Sequence, residues 1–428
     1  MTAAPTPEPP VGDPPLEGVV VVDLTTALAG PWCTQLLGGM GATVIKVEGP
    51  SRPDSARGNA PFVGREGASS TRRHDDDLSL ALLERNRDKL GLALDLKAPE
   101  GRAVMEDLLA RAAVLVTNYS RGALGRMGLD AESVAARHPH LVYAAITGFG
   151  LDGPPDRDKA MDTIIQALSG LMLTSGAPGD GPVRVGVPVA DVVSPLYAVI
   201  GILGALRRAE ATGRGDVVDV SMLGAVTSLV ATESWGVQAS LGLETRTGDV
   251  LPRLTPFGTY PTADGGHVAI CAPTDPLAAG LFTAMGIADP TSDPRLATRD
   301  GRVHHAEEVN AAIADWTRTL ATDDLLAVLE AHDVPSAPVR TPAEAVADPA
   351  LLRRGETTPT LHPRYGQVAG AVGPGMPFRA RGVGHRRAAP GLGEHSAALL
   401  RDLLGYDDAR VQRLVEAGAI GTADDGGQ

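Results

Sequence analysis

Residues 19–22 read Val-Val-Val-Val, and residues 43–47 read Thr-Val-Ile-Lys-Val. Short runs rich in β-branched apolar residues are typical of strands buried in a parallel sheet. The stretch between them, from Pro31 to about Met40, has a helical pattern. Strand, helix and strand therefore follow one another within about 30 residues, which predicts a βαβ unit.

The alternation of strand and helix patterns continues along the chain. Apolar strand-like runs occupy 114–116, 141–146 and 217–220, and helical patterns occupy 99–112, 131–136, 162–172, 194–208 and 222–245. Such alternation is typical of a parallel sheet covered by helices on both faces. We therefore predict an α/β protein with a doubly wound, Rossmann-like large domain and a smaller inserted α+β domain.

Composition shifts along the chain predict the domain boundaries. We expect a disordered Pro-rich tail at 1–15, the first part of the large domain at 16–225, a linker helix at 226–250, the small domain at 251–350, a return to the large domain at 351–420 and a tail at 421–428.

Charge and cysteine content exclude several classes of protein. The 428 residues carry a formal charge of −14, with 38 Lys and Arg against 52 Asp and Glu. A nucleic-acid binder needs clustered cations, so no nucleic-acid partner is expected. The two cysteines, Cys33 and Cys271, allow no disulfide framework and no thiolate metal cluster. We find neither a signal peptide nor an apolar run of membrane-spanning length, which indicates a soluble, cytoplasmic protein.

Two local patterns, a glycine motif and a charged run, are interpreted as structural features and not as functional sites. Residues 148–153 match Gly-x-Gly-x-x-Gly after a predicted strand, but Pro154 and Pro155 follow where a dinucleotide-binding helix would begin. The charged run 72–77 lies in the long excursion 51–80 and is interpreted as a solvated loop.

Several segments resemble the family III CoA-transferases, the formyl-CoA and carnitine CoA-transferase type, whose superfamily also includes α-methylacyl-CoA racemases. The motifs that carry this resemblance are Ala-Gly-Pro at 29–31, Asn-Arg-Asp-Lys at 86–89, Thr-Gly-Phe-Gly at 147–150, Ala-Asp at 190–191, Thr-Gly-Arg-Gly at 212–215 and Leu-Gly-Glu-His at 392–395. Each motif alone is weak, but their order and spacing from about Leu16 to about Ile420 are specific.

The resemblance implies an enzyme that moves CoA from an acyl-CoA thioester to a carboxylic acid. In that family an Asp carboxylate attacks the thioester, and the reaction proceeds through aspartyl anhydride and aspartyl-CoA intermediates. Acyl-CoA and the acid are then substrates, no tightly bound cofactor or metal is required, and an interlocked homodimer is expected.

The resemblance assigns catalytic roles to two carboxylates. Asp191 matches the nucleophile, and Asp162 matches a second carboxylate that positions or polarises the site. From the sequence alone, each of them is also interpreted as an ordinary helix cap. Met161 stands where the racemases carry a histidine, and a thioether cannot exchange a proton, so racemisation by that route is disfavoured.

The resemblance also assigns CoA contacts, position by position. These contacts are expected at the nucleotide, the phosphates and the pantetheine arm of CoA. The residues are Leu28, Ala29, Leu94, Lys97, Asn118, Tyr119, Arg126, Met127 and Lys159. The family usually carries Arg at the position of Gly49, where Arg52 is the alternative cation, and Leu28 replaces a Gln of formyl-CoA transferases. These departures disfavour a formyl or oxalyl substrate. Two alternative functions stay open: an acyl-CoA racemase or isomerase of the same superfamily, which Met161 disfavours, and an inactive CoA-thioester-binding protein, which the glycine at position 49 favours.

Overall fold

The computed structural model describes residues 13–154, 160–375, 383–385 and 387–422. The chain divides into two compact units. The first comprises Met1–Ser169, Val185–Leu229 and Val346–Gln428, and the second comprises Gly170–Arg184 and Val230–Ala345.

The strands of the described residues are numbered in chain order. They are β1 (Val20–Leu24), β2 (Thr43–Glu48), β3 (Phe62–Gly64), β4 (Gly67–Ser69), β5 (Leu78–Ser79), β6 (Leu90–Leu94), β7 (Val114–Thr117), β8 (Val142–Thr147), β9 (Val217–Ser221), β10 (Phe257–Pro261), β11 (His267–Cys271), β12 (Ser336–Pro338), β13 (Thr357–His362), β14 (Gly366–Pro374) and β15 (Ile420–Gly421).

The α-helices are numbered in the same way. They are α1 (Ala29–Gly39), α2 (Leu80–Arg85), α3 (Pro99–Leu109), α4 (Arg121–Met127), α5 (Ala131–Arg137), α6 (Asp162–Leu168), α7 (Val189–Thr212), α8 (Met222–Val230), α9 (Trp235–Ser240), α10 (Asp275–Ala284), α11 (Arg299–His304), α12 (Ala306–Thr317), α13 (Thr322–Ala331), α14 (Pro342–Val346), α15 (Pro349–Arg354), α16 (Ser396–Asp402) and α17 (Asp408–Glu416).

The large sheet of the first unit has the strand order β15-β6-β2-β1-β7-β8-β9. Neighbouring strands are parallel, except that β15 runs antiparallel to β6. From β1 the chain moves outward through β2 and β6, then returns to the other side of β1 for β7, β8 and β9. At such a switch point the carboxyl ends of the strands leave a crevice. The predicted α/β fold with a large parallel sheet is confirmed.

Helices pack on both faces of this sheet. On one face, α3, α16 and α17 bury apolar side chains against strand residues such as Leu24 and Leu115. Side chains alternate along a strand, so Asp23 points to the opposite face. There it accepts a hydrogen bond from Thr34 of α1, and α7 packs against α1.

The second unit is built around the antiparallel sheet β10-β11-β12. Its core joins Tyr260, Val268 and Ile270 of this sheet to apolar residues of α10, α12 and α13, such as Phe282 and Ile313. This small α+β arrangement is separate from the core of the first unit.

Two segments differ from the sequence predictions. The excursion 51–80 contains the small sheet β4-β3-β5, and Asp77 is buried there rather than solvated, because its carboxylate accepts hydrogen bonds from the N–H groups of Arg73 and His74. The helix expected at 222–245 is divided into α8 and α9. The carbonyl of Val230 accepts the Trp235 indole N–H, which helps to turn the chain there.

The apolar helix α7 also departs from expectation. By length and composition alone it could cross a membrane, although the sequence predicted no such segment. In the structure it packs on α1, β8 and β9 of the large sheet. It is therefore a helix of the α/β core with a partly exposed apolar face.

Buried ion pairs hold the carboxyl edge of the large sheet. Lys46 Nζ lies 2.8 Å from Asp54 Oδ2, and Lys89 Nζ lies 2.7 Å from Asp23 Oδ2; all four side chains are fully buried. Burial alone would raise the pKa of Asp54, but Lys46 and two backbone N–H groups lower it to about 2. Both carboxylates are therefore ionised and depend on their lysine partners.

Replacing Lys46 with Met should strongly destabilise the protein, because it leaves Asp54 buried without its cation. We expect the free energy of unfolding, measured by urea titration, to fall by about 3 kcal/mol or more. The exposed pair of Arg318 and Asp315 provides the control, since Arg318→Met should change stability by less than about 0.5 kcal/mol. Equal effects of the two substitutions would contradict this interpretation.

Candidate active site

A cavity of about 470 Å³ opens at the switch point of the large sheet. Its walls come from the turn after β1, the turn after β7, the end of β8, the start of α6 and the first turn of α7. The described residues that line it are Thr26, Ala27, Leu28, Ala29, Asn118, Tyr119, Ser120, Ile146, Thr147, Gly148, Phe149, Gly150, Ala160, Met161, Asp162, Thr163, Asp191 and Met222. Ligands of open α/β sheets bind in this crevice.

The turn between β1 and α1 is held by side chains from two other segments. Asn118 accepts a hydrogen bond from Thr26 N at 2.9 Å and donates one to Thr26 O at 2.8 Å. Asp54 accepts from Ala27 N at 2.8 Å, which stabilises the left-handed conformation of Ala27 at φ 68°. Gly30 permits the close approach of α1, because a Cβ there would lie 2.3 Å from Thr25 Cβ.

Asp191 lies in the first turn of α7, where its half-buried carboxyl group faces the cavity. The N-cap position belongs to Pro188, so Asp191 is not the helix cap that the sequence alone suggested. Burial and the nearby charge of Asp162 raise the pKa of Asp191 to about 6, while Arg85 opposes the shift. At neutral pH this carboxylate is ionised and more basic than an ordinary aspartate.

Asp162 begins α6 and is engaged through both oxygens. Oδ1 accepts a hydrogen bond from the backbone N–H of Ala190 at 2.9 Å, and Oδ2 accepts one from Gln166 Nε2 at 2.7 Å. Gln166 in turn accepts from Val185 N at 2.9 Å. Asp162 therefore fixes the helical turn that carries Asp191, instead of capping its own helix, whose N-cap position is Met161.

Met161 lines the cavity beside Asp162, and its side chain is 75% exposed. A thioether neither donates nor accepts a proton in this position. Met161 therefore supplies no proton-transfer group at the position where the racemases carry a histidine.

The structure brings only part of the predicted CoA set together. Leu28, Ala29, Asn118 and Tyr119 line the cavity with the two carboxylates. The other described candidates lie elsewhere: the Leu94 side chain is buried in the core, Met127 packs against that core, and Lys97 and Arg126 are exposed after β6 and β7. Lys159 lies outside the described residues.

The turn at 148–153 contributes to the cavity without forming a nucleotide-binding helix start. Gly148 and Gly150 line the wall, and Gly150 has φ 87°. Leu151 N donates to the carboxylate of Asp219, and the next described helix, α6, begins only at Asp162. This geometry agrees with the interpretation that the glycine pattern is not a dinucleotide fingerprint.

The sequence analysis did not identify Arg85, the cation that lowers the pKa of Asp191. Arg85 is the last residue of α2, and its Nη1 donates to the carbonyl of Ala27 in the cavity wall at 3.3 Å. Arg85 directly precedes the family motif at 86–89, and this position was the one sequence signal that could have identified it. Arg52, the proposed substitute at the Gly49 position, is exposed and bridges to Gly49 in a short turn.

Comparison with known proteins agrees with this geometry. The sequence profile of CoA-transferase family III matches residues 16–396. The chain is 36% identical to succinate–glutarate CoA-transferase of Agrobacterium fabrum, over 91% of this chain and 96% of that protein. It is 33% identical to succinyl-CoA–D-citramalate CoA-transferase of Chloroflexus aurantiacus, over 92% of this chain and 95% of that protein.

A solved structure shows the same fold. A CAIB/BAIF family protein from Brucella suis superposes with a TM-score of 0.77 at 33% identity, covering 92% of this chain and all of that chain. The predicted family, and with it an enzyme of the CoA-transferase type, is confirmed. The chain belongs to CoA-transferase family III.

Proposed function

We propose that this enzyme transfers CoA from an acyl-CoA thioester to a carboxylic acid with Asp191 as the nucleophile. The observation that carries the proposal is the placement of Asp191 in the switch-point cavity, where its pKa is raised to about 6. A carboxylate is a weak nucleophile, and partial desolvation with a fixed position increases its reactivity. Asp162 acts as a positioning residue through Ala190 N.

The proposed reaction consists of four balanced acyl transfers. Asp191 attacks the thioester carbonyl and expels CoA thiolate, which leaves an anhydride of Asp191 with the donor acid. The thiolate then attacks the Asp191 carbonyl and expels the donor carboxylate. The acceptor carboxylate displaces the thiolate from the resulting aspartyl-CoA thioester, and the thiolate finally attacks the acceptor acyl group. Asp191 is restored, and no net proton is taken up or released.

CoA enters this scheme as a substrate. We propose that Leu28, Ala29, Asn118 and Tyr119 contact its reactive end, since they share the cavity with Asp191. The family resemblance supports CoA contacts at the other positions too, namely Leu94, Lys97, Arg126, Met127 and Lys159. Of these, Lys97 is exposed between β6 and α3, and Arg126 is exposed in the last turn of α4; neither lines the cavity.

Short dicarboxylic acids are the proposed acyl groups. Two relatives that match over most of this chain are named for succinate and glutarate and for D-citramalate. Both names denote acids that carry a second carboxylate in addition to the reacting one. The isomerase alternative is less well supported, because Met161 supplies no proton-transfer group.

We also propose a homodimer, as the family resemblance implies. The first unit exposes apolar side chains on α6, α7 and α8, among them Ile200, which is 69% exposed. A groove of about 570 Å³ between α7, β9 and α8 adjoins this face. Exposed apolar patches of this kind are typical of protein interfaces. We propose that a second copy of this chain covers the patch, because the family resemblance implies a homodimer.

Replacing Asp191 with Asn should abolish the covalent chemistry. Intact-protein mass spectrometry after incubation with a mixture of acyl-CoA thioesters should show a hydroxylamine-sensitive adduct on the wild type and none on Asp191→Asn. Turnover should fall by a factor on the order of 10⁴ or more. Asp315→Asn, at an exposed position of the second unit, is the matched control and should form the adduct normally. An adduct on Asp191→Asn would exclude Asp191 as the nucleophile.

The first half-reaction should depend on pH through Asp191. The attacking form is the carboxylate, so the single-turnover rate should rise with pH and level off above a midpoint near 6. The rate at pH 5 should be about tenfold below that at pH 7. The charged groups acting on Asp191 are Asp162 and Arg85.

Asp162→Asn should move this midpoint to lower pH, because it removes the like charge and keeps an oxygen that can accept from Ala190 N. A wild-type midpoint near the ordinary aspartate value, or a midpoint unaffected by Asp162→Asn, would contradict the electrostatic account.

Charge placed on the exposed face of α7 should weaken the homodimer. Sedimentation velocity should show the wild type at twice the chain mass, and Ile200→Glu should shift it toward the monomer because a buried charge is costly. Val339→Glu, at an exposed apolar position of the second unit, should leave the dimer intact. A monomeric wild type would refute the proposed assembly.

A further inference from the structure

Carboxylic acid substrates would be repelled by the negative charge of this cavity. Among the described residues that line it, two are acidic, Asp162 and Asp191, and none is a lysine, arginine or histidine. An incoming carboxylate adds another negative charge to this partly desolvated space. Like charges at close range are unfavourable, so binding needs a nearby cation.

Arg85 is a cation placed to meet this need. The residue is half-buried, and its charge acts on Asp191, whose pKa it lowers. Arginine has five N–H donors, but in the described part of the chain the Arg85 guanidinium makes one hydrogen bond, to the carbonyl of Ala27, and no ion pair.

Neighbouring arginines are used differently. Arg87 donates to Thr358 Oγ1 and to the carbonyl of Pro374, and Arg57 forms an ion pair with Glu48 at 2.6 Å. Their guanidinium groups stabilise the fold of the first unit. Arg85 instead retains unused donors beside the wall of the cavity, and a half-buried guanidinium with unused donors is unfavourable unless water or a ligand accepts from them.

We propose that Arg85 binds the second, non-reacting carboxylate of a dicarboxylic substrate, an inference that rests on the proposed transfer function. Arg85 lies beside the cavity wall, where its Nη1 donates to the carbonyl of Ala27 at 3.3 Å, and among the described residues it forms no ion pair with Asp191. A carboxylate held by Arg85 would therefore stand apart from Asp191, and the short chain of the acid would bring the other carboxylate to the nucleophile. The planar guanidinium suits bidentate binding of a carboxylate.

The test compares acids that differ only in the second carboxylate. The kcat/KM of the acceptor is measured for glutarate against valerate, and for succinate against butyrate, with one common acyl-CoA donor. In a ping-pong reaction this constant reports only the acceptor half-reaction. The wild type should prefer the dicarboxylic member of each pair. Arg85→Gln should lower kcat/KM for glutarate by roughly 10- to 100-fold and leave that for valerate nearly unchanged.

Two further variants separate a specific role from a structural one. Arg85→Lys keeps the charge without the bidentate geometry, so it should retain an intermediate preference for glutarate. It also serves as the test variant if Arg85→Gln does not fold. Arg111→Gln, at an exposed position between α3 and β7, should match the wild type. Equal losses for glutarate and valerate, or an unchanged preference, would overturn the inference.

Mass spectrometry distinguishes this inference from the proposed function. A hydroxylamine-sensitive adduct on both the wild type and Arg85→Gln, together with an unchanged glutarate preference, would overturn the role of Arg85 alone. No adduct on the wild type would overturn both the role of Arg85 and the transfer function.

Discussion

The ion pair between Lys46 and Asp54 is the interaction on which the cavity depends. Asp54 accepts simultaneously from Lys46 Nζ, from Ala27 N, from Ala56 N and from the hydroxyl of Thr26. A single buried carboxylate thereby joins β2, the turn after β1 and the start of the 51–80 segment. Such a carboxylate is tolerated in the interior because it is paired and hydrogen-bonded. Without it, the wall would lose the hydrogen bonds to Ala27 N and the Thr26 hydroxyl and would be held there only by Asn118 and Arg85.

Asp162 is a second hydrogen-bonded carboxylate that holds part of the cavity wall, and it also changes the pKa of Asp191. Its oxygens accept from Ala190 N and Gln166, which orients the first turn of α7. Its negative charge also acts on Asp191 and raises the pKa of that group. One side chain, Asp162, thus both orients the helical turn and raises the pKa of the nucleophile. Arg85 has the opposite effect and limits the rise in the pKa of Asp191.

The sequence predictions succeeded where local pattern and tertiary structure agree. The apolar runs at 19–22 and 43–47 form parallel strands because a buried strand needs only short, continuous apolar sequence. The prediction of a solvated loop at 72–77 fails at Asp77, which is buried, although most of that run is exposed or half-buried. Backbone N–H groups of its own loop satisfy the Asp77 carboxylate, which composition suggests is solvated. The helix at 222–245 was predicted too long, since a side-chain bond from Trp235 to the Val230 carbonyl has no periodic signature.

The sequence by itself therefore determined the α/β class, the parallel sheet, the CoA-transferase family and the pairing of Asp162 with Asp191 as candidates. Those features are carried by periodicity and by ordered motifs along one chain. Only the tertiary structure decided that Leu28, Asn118 and Asp191 share one cavity while Leu94 is buried in the core. It also decided that Arg85 acts on Asp191 from a site 106 positions earlier in the chain. Electrostatic interactions act through space, so their strength depends on distances and burial that one-dimensional patterns do not contain.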